Sequence, residues 1–154
     1  MNERKTGIVP KETIGISVEQ AVNIVSNSKP ECEIEFEIHS DTSELVMPGL
    51  TRVLTNLINN SVESFDAETA KVRVDTLVTR DEIILRITDK GSGIPKDVLS
   101  RLRSGESLTT KQDGNGIGLS SAIEWARQYG LRFEINSNTG GSKKGTLIEL
   151  GIPQ

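Results

Sequence analysis

Three clusters of residues have the side chains and spacing to do chemistry. In Asn56-Leu57-Ile58-Asn59-Asn60-Ser61-Val62-Glu63, a helical rotation of about 100° per residue puts Asn56, Asn60 and Glu63 in one narrow sector beside the apolar positions. Asparagine is a poor helix former, so three in five residues work against the helix and point to a compensating function. An amide oxygen is a hard, neutral ligand suited to a Mg²⁺ that arrives on a phosphate, because that ion takes one or two protein oxygens and keeps its waters. The competing reading is a solvated polar helix face. In Asp89-Lys90-Gly91-Ser92-Gly93-Ile94-Pro95 an apolar strand ends on a carboxylate. A carboxylate there can accept a hydrogen bond from a nucleobase amino group, and the glycines let backbone approach a flat ring, although Asp, Gly and Pro also make ordinary turns. In Asp113-Gly114-Asn115-Gly116-Ile117-Gly118-Leu119 spaced glycines run into a helix, where free N–H groups and the positive dipole end suit an anion. The spacing is not that of a dinucleotide fingerprint, and the Gly-Lys-Ser/Thr of a P-loop is missing. Upstream, Ser107-Leu108-Thr109-Thr110-Lys111 adds hydroxyls and a cation, and residues 90–111 hold five basic against two acidic residues, a local +3 that suits a polyphosphate.

The elements that must position these clusters follow from periodicity. Residues 1–13 are polar and aperiodic and read as a tail or linker, leaving 14–154 as a single domain. Ser17 and Gln20 form a capping-box pattern, and Val18, Ala21, Val22 and Val25 then predict a helix over 18–28. From Glu31 the period changes to two, with Cys32, Ile34, Phe36 and Ile38 on one side and four glutamates on the other, which predicts a half-buried strand. Pro48 opens a helix to Phe65 with an apolar stripe of Leu50, Val53, Leu54, Leu57, Ile58 and Phe65. Strands follow at 70–78 and 82–89, then a short helix from Pro95 to Arg103 and a Gly- and Ser/Thr-rich loop at 104–116. A helix over 117–129 stops at Gly130, and strands at 131–137 and 145–152 close the chain. Helices interleaved with hairpin-joined strands predict an α+β two-layer sandwich, with one mixed or antiparallel sheet covered on one face by helices.

Composition bounds the function. With 154 residues, 34% apolar and 26% charged, the chain fits one globular domain and excludes collagen-like, disordered and membrane-spanning classes. A net charge of −4 lacks the basic footprint of a nucleic-acid binder, so no nucleic acid partner is expected. The acidity is concentrated at 31–46, which hold six acids and no Lys or Arg. The lone Cys32 reads as a small buried apolar residue instead of a nucleophile, and the lone His39 as a surface residue. No signal-peptide pattern or stretch of about 20 apolar residues is present, so the expected location is cytoplasmic with no direct membrane contact, a parent protein being anchored, if at all, through other segments.

Taken in order, the Asn helix, Asp-x-Gly-x-Gly and Gly-x-Gly-x-Gly-Leu resemble the nucleotide site of the gyrase, heat-shock chaperone, histidine kinase and mismatch-repair ATPase superfamily, over about residues 45–152. Within it the chain most resembles the catalytic ATP-binding domain of sensor histidine kinases of nitrogen-regulation type. Thr109-Thr110-Lys111, Leu119-Ser120-Ser121-Ala122 and the closing strand from Gly145-Thr146 to Ile152-Pro153 match that subgroup. The resemblance implies a Bergerat-type sandwich that binds ATP or ADP with Mg²⁺. It implies that Asn60 ligates the metal and Asn56 assists on the phosphate side, both in the catalytic set with Lys111, which neutralises phosphate charge. It implies that Asp89 binds the adenine amino group, framed by Gly91, Gly93, Ile94 and Thr146. Thr109, Thr110, Gly114, Gly116, Ile117, Gly118 and Leu119 are then the lid and phosphate cradle, with 104–116 as the lid. Two departures stand out: Glu63 occupies a place where many relatives carry Lys or Arg, and the lid has no aromatic residue, only Leu108.

Hydrolysing members resemble one another in having a glutamate general base four residues before the metal asparagine. Here that residue is Asn56, an amide that cannot take the proton, so rapid hydrolysis is disfavoured. The resemblance implies instead a kinase that transfers the γ-phosphoryl group to a histidine on a separate helical dimerisation domain, and through it to a response regulator, the isolated domain being a monomer. His39, on a strand, does not resemble that acceptor. Two alternatives stay open: an anti-sigma-type serine kinase, and a degenerate nucleotide-sensing or docking module.

Overall fold

In the computed structural model, residues 13–39, 42, 45–66, 68–104 and 116–154 are described. The elements are α1 (Ile14–Ser28), β1 (Glu33–Glu37), α2 (Leu50–Glu63), β2 (Lys71–Val78), β3 (Glu82–Asp89), α3 (Lys96–Arg103), α4 (Gly116–Gln128), β4 (Arg132–Asn138) and β5 (Gly145–Pro153). The strands form one mixed sheet in the order β1-β2-β3-β5-β4, in which β1 runs parallel to β2 and the other pairs are antiparallel. This is the α+β two-layer sandwich that the interleaved pattern predicts.

Strand alternation decides which face is covered. Val72 and Val74, Ile83, Leu85 and Ile87, Ile148, Leu150 and Ile152, and Ile135 are all buried, and all project to the side where the helices lie. Leu54, Leu57 and Ile58 of α2 and Leu119, Ala122 and Ala126 of α4 close the core from above. On the opposite face charged residues pair across strands, beside Leu77 and Ile84, which oppose each other in the β2–β3 register. Arg73 reaches Glu35 (3.3 Å) and Glu37 (2.9 Å) of β1, Arg86 reaches Asp75 (2.8 Å), and Arg132 reaches Glu82 (2.9 Å). Part of the acidic run on β1 is thereby neutralised by β2. At the β4 edge Arg103 Nη2 donates to the Ile135 carbonyl (2.6 Å), occupying an acceptor that an unpaired edge would otherwise offer to another strand.

The first helix begins a turn earlier than its capping-box signal. Thr13 is the N-cap, its Oγ1 accepting from the Ile16 N–H (3.2 Å), and Ile14 is fully buried. Ser17 lies inside the helix, buried, and its hydroxyl has no partner among the described residues, so it is not the cap. Thr13, placed in the tail by the sequence reading, therefore belongs to the fold. Tertiary contact overrides the poor helix propensity of Ile-Gly-Ile: Thr13 bridges Val46, and the Ile14 N–H donates to the Leu45 carbonyl (2.8 Å). Phe65 lies just beyond α2, half-buried against the core, and Phe36 of edge strand β1 stays 42% exposed despite its inward parity. Gly49 caps α2 with φ +85°, and the neighbouring Pro48 carbonyl accepts from Trp125 Nε1 (3.2 Å), which ties the start of α2 to α4.

Candidate functional site

The end of β3 delivers Asp89 to the helix-covered face, where it is 6% exposed. Burial pushes its carboxyl above the ordinary carboxylate range, opposed by hydrogen bonds from the Gly91 N–H, the Ser61 hydroxyl and the Thr146 N–H. The Gly91 bond measures 2.8 Å. A carboxylate offers about four acceptor directions, so these three donors leave one for a ligand. Asp89 borders a small cavity with Asn60 and Ser61 of α2, Ser64 at the C-cap of that helix, Gly93 and Ile94, Leu119 of α4, and Thr146 and Ile148 of β5. Ile94, Leu119 and Ile148 are buried apolar walls beside a single charged acceptor, the composition that a flat, amino-bearing heterocycle needs.

The glycines here are required by close approach. A Cβ on Gly91 would collide with Ser64 Oγ. Gly93 has φ +79°, and a Cβ there would collide with the Asn138 carbonyl at the end of β4. At Gly118 a Cβ would lie 2.7 Å from Asn60 Nδ2, so the bare first turn of α4 lets that amide settle against it.

Asn60, Asp89, Gly91, Gly93, Ile94, Gly118, Leu119 and Thr146 lie together in the structure. Asn56 lies one turn earlier on α2, exposed and outside the cavity lining. Glu63 turns toward α1, 3.4 Å from Lys29 Nζ, and does not line the cavity. Gly116 and Ile117 belong to the first turn of α4. Thr109, Thr110, Lys111, Gly114 and most of the expected lid lie outside the described residues. A wider cleft meets Asp89 from the β1 side, lined by Phe65 and Val72 as well as by the charged Glu33, Glu35, Lys71, Arg73 and Lys90.

Ser61 and Ser137 are site residues that the motif reading missed. Ser61 sits at a core position of the α2 stripe, and Ser137 follows Phe133 and Ile135 on the inward side of β4, so a polar residue in an apolar register was the available signal. The Ser137 hydroxyl accepts from the Ile94 N–H (2.7 Å), donates to the Gly145 carbonyl (3.1 Å) and lies 2.7 Å from Thr146 Oγ1, which locks the glycine turn onto β5. Ser137→Ala leaves the Ile94 N–H without its acceptor, and we expect a loss of about 1–3 kcal/mol in denaturant unfolding. A change below about 0.5 kcal/mol, the usual range for surface substitutions, would show that water takes over the bond.

Comparison with known proteins matches residues 46–154 to the family described as histidine kinase-, DNA gyrase B- and HSP90-like ATPase. Sporulation kinase A of Bacillus subtilis is 37% identical over 109 residues, which cover 68% of this chain and 16% of that protein. Sensor histidine kinase ZraS of Salmonella typhimurium is 28% identical over 88% of this chain and 29% of its own length. Nitrogen regulation protein NtrY of Azorhizobium caulinodans is 23% identical over 94% of this chain and 19% of its own. The chain thus spans less than a third of the length of these relatives. Among solved structures, the mycobacterial sensor histidine kinase MprB superposes with a TM-score of 0.72 at 20% identity, covering 95% of this chain and 97% of that one. ShkA in complex with AMPPNP superposes at 0.71 and 21% identity, over 94% of this chain and 30% of that one. The chain belongs to the histidine kinase-, DNA gyrase B- and HSP90-like ATPase family, as a catalytic ATP-binding domain of the sensor histidine kinase kind.

Proposed function

We propose that the chain from Thr13 to Gln154 forms one domain that binds Mg-ATP and serves a two-component sensor kinase by delivering the γ-phosphoryl group to a histidine on a separate helical domain, which then feeds a response regulator. The observation that carries this is the buried Asp89 carboxylate, held by three donors with one acceptor direction left, beside the apolar walls Ile94, Leu119 and Ile148. Asp89 accepts from the adenine amino group, while Gly91, Gly93, Ile94 and Thr146 frame the ring. Asn60, a neutral amide at the cavity edge against Gly118, fits a Mg²⁺ that keeps phosphate oxygens and waters as its other ligands. That ion would neutralise charge on the phosphates. Asn56 assists on the phosphate side, Gly114, Gly116 and Gly118 cradle the phosphates with Leu119 behind them, Lys111 neutralises their charge, and Thr109, Thr110 and Ile117 complete the nucleotide-binding set.

Transfer then rests on placement and charge stabilisation, since Asn56 cannot act as a base toward water. His39, exposed beyond the end of edge strand β1, is not the acceptor in this scheme. Among the described residues no helix is long and apolar enough to cross a membrane. In this reading the domain works in the cytoplasm, as a monomer when isolated.

Calorimetric titration of the chain with ADP and AMPPNP, with and without Mg²⁺, tests the reading. Saturable, Mg-sensitive binding is expected, followed by label transfer from ATP to a histidine-bearing helical domain supplied separately. A folded sample that binds neither nucleotide would overturn the proposal, and transfer to serine would replace it with the serine-kinase alternative.

A further inference from the structure

Two residues of the asparagine-rich turn are not absorbed by that function. Asn59 and Glu63 both turn toward α1, where Lys29 Nζ donates to Asn59 Oδ1 and lies 3.4 Å from Glu63 Oε2. Lys29 is the C-cap of α1, its N–H bonded to the Val25 carbonyl (2.8 Å), and Pro30 drives it out of the helical conformation, which sends its side chain across to α2. Its side chain is only 27% exposed against 46% for Glu63, so the cation is the better-held member of the pair. Glu63 shares an edge of α2 with Asn56 and Asn60 and lies three residues beyond Asn60, about 4.5 Å along the axis. A polyphosphate held at Asn60 would meet that carboxylate well within a Debye length of about 8 Å.

We infer that Lys29, oriented by Asn59, is a positioning residue for the nucleotide site: it cancels the charge of Glu63 and so lets a polyphosphate lie along the edge of α2. The inference rests on the nucleotide-binding reading. Its consequence is a dependence on ligand charge that a purely structural contact would not produce. Without Lys29, affinity falls most for the triphosphate, less for the diphosphate and not at all for adenosine.

The test is calorimetric titration of the chain and of K29A, K29R, E63Q and K29A/E63Q with adenosine, ADP and AMPPNP, each variant first shown to be folded by its thermal unfolding. We expect K29A to bind AMPPNP about 3- to 5-fold more weakly, the scale of a partly exposed ion pair. Adenosine affinity should be unchanged, and the loss should shrink as salt is raised. K29R should retain affinity, and K29A/E63Q should return to within twofold of the parent chain. Equal losses for adenosine and AMPPNP would overturn the inference in favour of a structural contact. A double variant as weak as K29A would overturn it in favour of direct contact between Lys29 and phosphate. Unchanged AMPPNP binding by K29A, while the parent chain binds, would sink this inference alone; a parent chain that binds no ligand would sink the nucleotide reading and this with it.

Discussion

Asp89→Asn should weaken binding of both ADP and AMPPNP by roughly 100-fold while leaving the chain folded, as read by calorimetry beside thermal unfolding. A hydrogen bond to a charged group is worth about 1.5–3 kcal/mol, which spans about 10- to 100-fold. The upper end applies because three donors, the Gly91 N–H at 2.8 Å, the Ser61 hydroxyl and the Thr146 N–H, already converge on this side chain, so they consume the amide oxygen and the amide N–H₂ replaces the acceptor left for the ligand. A donor would then face the donor on adenine. An Asp89→Asn chain with parental affinity would show that the base is read by other groups.

The same carboxyl makes two pH dependences of opposite sign. Desolvation raises its folded-state value above that of the unfolded chain, about 3.9 for a free aspartate. Its contribution to stability is therefore fully present below the unfolded value and is lost as pH rises through the folded one. Nucleotide binding runs the other way, because the adenine amino group needs the ionised acceptor, and affinity falls as pH drops through that raised value. Titrations at successive pH values below neutral should show the loss setting in above the ordinary aspartate range, and Asp89→Asn should lack that step. A parental profile flat down to pH 4 would contradict the assignment.

The placement of these groups was legible to different degrees, for reasons that lie in particular residues. Asp89 and the glycines around it could be read because a turn at the end of an apolar strand is a local pattern, with strand and turn signals adjacent in the chain. The sheet face was equally legible from the period-two runs on β2, β3 and β5. What could not be read are contacts between segments far apart in sequence. Ser137 meets Ile94 across 43 residues, and Lys29 meets Glu63 across 34, so no spacing rule reports them. The early start of α1 is of the same kind, since Thr13 becomes a cap only because Val46 and Leu45 lie against it. Glu63 shows the consequence: taken as a member of the Asn56 and Asn60 sector it belongs with the phosphates, whereas the structure turns it to a lysine that the helical wheel of α2 cannot contain.

Asn60→Ala should remove the Mg-dependent part of nucleotide affinity and spare the Mg-independent part. Loss of a group that orients or ligates a metal lowers metal affinity by about 10- to 100-fold, and that factor should appear as a collapse of the difference between titrations with and without Mg²⁺. Gly118→Ala provides an independent check from the other side of the contact. Alanine favours a helix over glycine by about 1 kcal/mol, so α4 itself should gain stability. The new methyl would lie 2.7 Å from Asn60 Nδ2 and 3.4 Å from Asn60 Oδ1, and the amide, at the far end of its side chain, would have to shift. We therefore expect Gly118→Ala to unfold at an equal or higher temperature and still to lose most of its Mg-dependent affinity, a separation of stability from function that damage to the fold could not produce. If both variants lower affinity equally with and without Mg²⁺, Asn60 acts by shaping the cavity beside Asp89, and the metal is held elsewhere.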